Sequence, residues 1–180
     1  MSIIAINPGH DRWLDPGACG EKYREADIVD DVARMAIAKL QLLGHKVHYI
    51  QSNELEEISA DATATGADIF VSIHCNSAEN RAAEGTETWY YPDEASEKLA
   101  DCLQQNVVEA LYTEDRGCKN GDWIAVLKHT EVPATALVEL GFMSNEEEEE
   151  MLAVCTNAAA DGIVDGIIAY IEQENLVENG

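Results

Sequence analysis

Four residues of this 180-residue chain could bind a metal ion or transfer a proton. His10 and His74 each follow an apolar segment, Glu25 begins a long stretch with helical periodicity, and Glu139 lies within an apolar segment. Each of them can be explained singly as a structural residue. Together they have the chemistry of a catalytic zinc site, which commonly takes three protein ligands from His and Glu and leaves a fourth position for water. A separate glutamate could take a proton from that water and pass it to a leaving amine.

Alternating strands and helices must bring these residues together, because positions 10, 25 and 74 are too far apart in sequence to identify a site by themselves. Helical periodicity predicts helices over residues 25–43, 96–112 and 158–172, and Asn145 is predicted to cap another. Apolar segments predict strands at 3–7, 47–50, 69–74, 86–91, 123–127 and 134–140, with residues 113–122 as a loop.

This alternation is typical of one α/β domain with a largely parallel sheet covered on both faces. Ligands of such sheets usually bind beyond the carboxyl ends of the strands. His10, His74 and Glu139 all lie near predicted strand ends of this kind. The residues alone therefore suggest a zinc hydrolase as one hypothesis among others.

The chain is strongly acidic, with 11 Lys and Arg against 35 Asp and Glu and a net charge of −24. This composition argues against a nucleic-acid binder, because phosphate contacts need clustered cations. It argues equally against adhesion to anionic membranes, and no apolar run approaches the ~20 residues that span a bilayer. The glutamates at 146–150 are interpreted as first-turn residues that favour the positive end of a helix dipole, with the rest forming a solvated face.

Several segments resemble, in family order, the motifs of the zinc-dependent N-acetylmuramoyl-L-alanine amidases of the Amidase_3 family. The first match combines two short segments with the single residue Glu25. The matching segments are IAINPGH at 4–10, DPGA at 15–18, ADIFVSIHCN at 67–76, GTETWYY at 85–91, DRG at 115–117 and PATALVELGFMSN at 133–145.

The resemblance implies a twisted mixed sheet of about six strands flanked by helices on both faces. It implies Zn²⁺ as the cofactor, with His10, Glu25 and His74 as ligands and Glu139 as the catalytic residue. The implied reaction is hydrolysis of the amide between the lactyl group of N-acetylmuramic acid and L-alanine of the stem peptide. Asn76 is a candidate substrate contact by its position in the motif, and its interpretation as a turn residue stays equally open.

We therefore expect residues 1–180 to form one amidase catalytic domain. We expect it to be a monomer that takes peptidoglycan or muropeptides as substrate, without nucleic acid and without membrane insertion. Two alternatives remain, a zinc peptidase that cuts within the stem peptide and a non-catalytic muropeptide-binding domain.

The expected place of action is the cell wall, which is extracellular or periplasmic. The N-terminal residues 1–6 contain no basic leader. The chain is thus expected either to stay in the cytoplasm until it is released, or to be a sequence from which a leader has been removed.

Overall fold

The predicted alternation of strands and helices is present in the structure, a computed structural model that describes residues 1–178, with side chains to residue 175. Within this part of the chain there are six strands and six helices. In chain order they are β1 (Ile3–Pro8), α1 (Glu25–Leu42), β2 (Lys46–Tyr49), α2 (Leu55–Ala64), β3 (Ile69–Asn76), β4 (Thr86–Tyr90), α3 (Glu94–Leu111), β5 (Asp115–Asn120), α4 (Ala125–Lys128), β6 (Ala134–Phe142), α5 (Glu146–Val154) and α6 (Thr156–Glu178).

The strands form one mixed sheet in the order β2-β1-β3-β6-β4-β5. The first four strands in this order are parallel to one another, β4 is antiparallel to β6, and β5 is parallel to β4. The predicted α/β fold, with a mixed and mostly parallel sheet of about six strands, is therefore confirmed. Because β1, β3 and β6 are adjacent and parallel, their carboxyl ends meet at one edge of the sheet, where ligands of such sheets bind.

Two of the predicted elements are wrong. One predicted strand is a helix and one predicted loop contains a strand, so the predicted number of strands is still six. The strand expected at 123–127 is absent, and part of that segment forms the one-turn helix α4. A short apolar run does not distinguish a buried strand from a buried helical turn. Conversely, the loop expected at 113–122 contains β5. This edge strand has charged and polar residues without β-branched ones, so no apolar pattern marks it.

Helices cover both faces of the sheet, but they do so unequally. The larger core cluster joins α1, α3 and α6 to strand residues such as Val71. On the opposite face, the shorter helices α2 and α4 pack near Phe70 and Leu137. Alternate residues of a strand share a face, so His74 and Glu139 lie on the same face as Phe70 and Leu137. The carboxyl end of this thinly covered face is therefore where the predicted site residues meet.

Among residues 1–175, no single helix combines the length and apolar character needed to cross a bilayer. By length and composition alone, α5 and α6 to Asn175 would meet that requirement as a pair bent by 76°.

The interpretation of the glutamates at 146–150 as a solvated face is only partly correct. Asn145 caps α5 through its side chain, as predicted. Glu148 and Glu149, however, are buried. The Glu149 carboxylate accepts backbone N–H bonds from Glu21, Lys22 and Tyr23 at 2.9, 2.6 and 2.6 Å. Glu149 thus ties α5 to the loop that precedes α1.

Glu149→Gln is expected to lower the free energy of unfolding by about 2 kcal/mol at neutral pH, since hydrogen bonds to a charged group contribute roughly 1.5–3 kcal/mol each. Burial alone would raise the pKa of Glu149, but the three N–H donors outweigh it and lower that pKa. A lowered folded-state pKa gives stability that is present above the ordinary glutamate pKa of about 4.3. That stability is lost as the pH falls through the folded-state pKa.

Urea unfolding of native and variant protein, between about pH 7 and pH 3, measures this difference. The matched control is Glu147→Gln, an exposed neighbour on the same helix, which should change stability by less than about 0.5 kcal/mol. A difference between native protein and Glu149→Gln that stays constant with pH would contradict the role given to the carboxylate.

Candidate metal centre and catalytic carboxylate

The structure brings together the four residues that were predicted to carry the chemistry. His10 lies in the loop after β1, Glu25 is the first residue of α1, and His74 and Glu139 lie on β3 and β6. His74 and Glu139 are directly paired across these neighbouring strands. The meeting of strand ends at one edge therefore places residues that are up to 129 positions apart in sequence in one site.

The loop after β1 turns back on itself and fixes His10. The backbones of Asp11 and Asp15 bond to each other at 2.8 and 3.1 Å, and His10 takes a left-handed conformation with φ of 63°. Non-glycine residues seldom adopt this conformation, and it is found where surrounding contacts enforce it. Here the contact is with Asp15, whose Oδ2 accepts a hydrogen bond from His10 Nδ1 at 2.8 Å.

Glu25 is the centre of the site, and both of its carboxylate oxygens are used. Oε1 lies 3.0 Å from His74 Nδ1 and accepts the backbone N–H of Cys75 at 2.9 Å. Oε2 lies 3.3 Å from His10 Nε2 and accepts the backbone N–H of Ala18 at 2.8 Å. Glu25 therefore joins both histidines and also the backbone of two separate segments.

The charges of this cluster are strongly coupled. The hydrogen bond to Glu25 is the main cause that raises the pKa of His10 to about 9. Burial would raise the pKa of Glu25, but its hydrogen bonds with His10 and His74 outweigh burial and hold that pKa well below its usual range. The cluster is thus an anionic carboxylate between two imidazoles, an arrangement in which a metal cation could take the place of protons.

Glu139 has a different environment, because within residues 1–175 no cationic side chain forms an ion pair with it. Burial is the main cause that raises its pKa to about 7. Its Oε2 atom is buried and has no hydrogen-bond partner among the described residues. A buried carboxylate oxygen without a partner lowers the stability of the folded protein. This atom is therefore available to bind a ligand and does not stabilise the fold.

The donor set fits a metal ion. One ligand atom each from His10, Glu25 and His74 lies within 4.8 Å of the others. Two imidazole nitrogens and one carboxylate oxygen match the three protein ligands that catalytic zinc commonly takes. The assignment of these residues as zinc ligands, and of Glu139 as catalytic, remains a proposal.

Two glycines leave the space that the side chains of His74 and Glu25 fill. A Cβ atom on Gly9 would lie 2.2 Å from Cε1 of His74. A Cβ atom on Gly17, which has φ of 66°, would lie 2.6 Å from Glu25 Oε2. The backbone therefore approaches both side chains more closely than any other residue type would allow.

Asn76 was predicted as a substrate contact, and the structure pairs its side chain with protein groups. Nδ2 donates to Glu87 Oε1 at 3.0 Å, and Oδ1 accepts the backbone N–H of Ser77 at 2.8 Å. Asn76 does lie at the carboxyl end of β3, close to the other site residues. Its role in substrate binding therefore remains a prediction, and the structure makes Asn76 the last residue of a strand rather than a turn residue.

Sequence reasoning missed the roles of two residues around the site, Asp15 and Glu87. The first is Asp15, which orients His10 and was noted only as part of a matching segment. The second is Glu87 on β4, whose buried carboxylate contacts Arg116 and Lys119 of β5. The signal that was available is a charged residue within the apolar strand at 86–91, the same signal that drew attention to Glu139.

An apolar cavity of about 180 Å³ adjoins the two histidines. Residues of β6, α2 and α4 line it, together with His10, Asp15 and His74. The apolar residues that line it are Leu55, Ile58, Ile124, Ala125, Val126 and Leu137. A molecule that reached His10 and His74 could therefore place an apolar part in this cavity.

Comparison with known proteins gives a consistent result. A family model described as N-acetylmuramoyl-L-alanine amidase (Amidase_3) matches residues 4–169. The chain is 37% identical over 179 residues to the uncharacterized protein YqiI of Bacillus subtilis, covering 94% of this chain and 85% of YqiI. It is 34% identical to the N-acetylmuramoyl-L-alanine amidase LytC of Bacillus subtilis, covering 93% of this chain but only 35% of LytC.

Solved structures agree with this relationship. The catalytic domain of CwlV, an N-acetylmuramoyl-L-alanine amidase from Bacillus (Paenibacillus) polymyxa var. colistinus, matches with a TM-score of 0.87 and 32% identity. That match covers 96% of this chain and 99% of the CwlV domain. An N-acetylmuramoyl-L-alanine amidase from Clostridium difficile 630 matches with a TM-score of 0.88 and 28% identity, covering 95% and 97% of the two chains.

Proposed function

Since this chain belongs to the N-acetylmuramoyl-L-alanine amidase family, we propose that it is a peptidoglycan amidase. The bond hydrolysed is the amide between the lactyl group of N-acetylmuramic acid and L-alanine of the stem peptide. One observation carries the proposal for this chain's own residues. Three side chains with metal-donor atoms within 4.8 Å of one another lie beside a buried, unpartnered oxygen of Glu139.

His10, Glu25 and His74 are the residues that would hold Zn²⁺. Zinc, when bound, would supply a Lewis acid for the amide carbonyl and lower the pKa of water to about 7. Asp15 would keep His10 oriented through the ring nitrogen that faces away from Glu25. Glu25 would hold both histidines in place, because its oxygens are also anchored by two backbone N–H groups.

Glu139 would move the protons of the reaction. Its unpartnered Oε2 atom can accept a proton from the attacking water. The same carboxyl group can then donate that proton to the nitrogen of the leaving alanine. Burial raises the pKa of Glu139 above that of an ordinary glutamate, and a carboxyl group with a raised pKa accepts the water proton more readily while it can still return that proton.

Digestion of purified peptidoglycan with the zinc-loaded protein tests the proposal. We expect a new amino group on L-alanine and glycan strands without stem peptides, both detectable by amino-group labelling and mass spectrometry. Release of D-alanine, or of fragments that leave part of the stem on muramic acid, would identify a peptidase and overturn the proposal. Binding to peptidoglycan without any new amino group would identify a non-catalytic binding domain instead.

We also propose that residues 1–180 act as one catalytic domain at the cell wall, and that the domain is a monomer. Analytical ultracentrifugation of the zinc-loaded protein checks the last point.

A further inference from the structure

A pair of cations lies on the same face of the sheet as Glu139. Arg116 and Lys119 of β5 both form ion pairs with Oε2 of Glu87 on β4, and the distance from Arg116 Nε is 2.7 Å. The other oxygen of Glu87, Oε1, accepts a hydrogen bond from Asn76 Nδ2 at 3.0 Å. We call Arg116 and Lys119 the β5 cation pair.

The β5 cation pair lies two strands away from the proposed catalytic residue. Glu87 and Glu139 are directly paired across β4 and β6, and β5 is the next strand beyond β4. Neighbouring strands are about 4.8 Å apart, so the strand that bears the pair is roughly 10 Å from β6. An extended peptide advances about 3.3 Å per residue, so it covers this distance in about three residues.

The β5 cation pair has more positive charge than Glu87 neutralises. Two cations are in ion-pair contact with one carboxylate, and Glu148 interacts with Arg116 only at longer range, in a chain whose net charge is −24. The Glu87 side chain is 4% exposed, whereas those of Arg116 and Lys119 are 35% and 33% exposed. The buried carboxylate therefore holds the inner side of the pair, while part of each cation remains open to solvent.

Aromatic rings hold both cations in addition to Glu87. The guanidinium carbon of Arg116 lies 4.8 Å from the centre of the Phe142 ring, and Lys119 Nζ lies 5.3 Å from the centre of the Trp89 ring. Such contacts are attractive. They also restrict the two long side chains before any ligand arrives, which lowers the entropic cost of binding.

We propose that the β5 cation pair is a subsite for a carboxylate of the stem peptide, two or three residues beyond the hydrolysed amide. This inference rests on the proposed amidase function. A peptide carboxylate would neutralise the remaining positive charge through charge-assisted hydrogen bonds. It would also make an acidic peptide acceptable to a site that already contains the carboxylates of Glu25 and Glu139. A cation pair that served only to neutralise Glu87 would be indifferent to the charge of the substrate.

The test compares two substrates with native protein and Lys119→Gln. One substrate is a muramoyl tripeptide with free carboxylates on its second and third residues, and the other carries carboxamides at both positions. With zinc present, Lys119→Gln should raise KM for the carboxylate substrate by about tenfold, the effect of losing about one charge-assisted hydrogen bond. KM for the carboxamide substrate should change by less than about twofold, and kcat should change little for either.

Two further variants separate binding from stability. Lys119→Arg keeps the charge and should stay close to native protein with both substrates. Lys39→Gln removes a similarly exposed lysine on α1, paired with Asp161, and should leave both KM values unchanged.

The outcomes distinguish the subsite from the proposed function. An equal loss with both substrates in Lys119→Gln would make the role structural and overturn the subsite alone, as would no change in either KM. Failure of the native zinc-loaded protein to hydrolyse either substrate would overturn the proposed function, and the subsite with it.

Discussion

Glu139→Gln is expected to reduce kcat for amide hydrolysis by roughly a thousandfold, within the 10²–10⁴-fold range of general acid–base catalysis. The amide side chain keeps the shape of the carboxylate but can neither accept the proton of water nor return it to the leaving nitrogen. The effect should fall on kcat rather than on KM, because the missing interaction is made in the transition state. Initial rates on a defined muramoyl peptide, with zinc in excess, measure it.

The same substitution should leave folding and zinc content nearly unchanged. The Oε2 atom of Glu139 has no protein partner among the described residues, and burial already makes its charged form unfavourable. A neutral amide therefore removes a cost of burial rather than a native contact.

The control for this experiment is Glu149→Gln, another buried carboxylate, which is expected to lose stability but to keep kcat at temperatures where it is folded. Turnover by Glu139→Gln at more than about a tenth of the native rate would show that another residue transfers the proton.

The fold and the composition of the site could be predicted from the sequence because their signals are local. Apolar segments that alternate with helical periodicity are sufficient to predict an α/β sheet. Parallel strands then bring His10, His74 and Glu139 to one edge. Their residue types suggested a zinc site together with Glu25, and the resemblance to a family assigned the separate roles. The spacing alone could not identify the site, because the distance in sequence between ligands is set by the lengths of intervening elements.

The features that escaped prediction depend on contacts between distant segments. The strand β5 is polar and lies at the edge of the sheet, so its pairing with β4 left no apolar pattern to read. Glu149 resembles its exposed neighbours in sequence, and only the backbone of residues 21–23 distinguishes it. Asp15 and Glu87 likewise owe their roles to hydrogen-bond partners that the fold brings to them, and one sequence does not contain that information.

His74→Ala is expected to abolish both zinc binding and hydrolysis. The substitution removes one of the three donor side chains of the proposed zinc site, and a site with two protein ligands would hold zinc far more weakly. Zinc content after gel filtration, measured by atomic emission, should fall to background. The matched control is His129→Ala, which removes an exposed histidine outside the cluster and should keep native zinc content and activity.

The stronger form of this prediction concerns stability, because it does not depend on turnover. A ligand that binds only the folded state stabilises it, by about 2.7 kcal/mol when its free concentration is 100 times Kd. Native protein freed of metal with a chelator should gain about this much free energy of unfolding when zinc is restored, and His74→Ala should gain almost none.

Glu25→Gln should also fail to gain stability when zinc is added, and its free energy of unfolding without metal should be lower than that of native protein. The Glu25 oxygens accept the backbone N–H groups of Ala18 and Cys75 even without metal. If zinc stabilised His74→Ala as much as native protein, the metal would be bound elsewhere and the assignment of this cluster would be wrong.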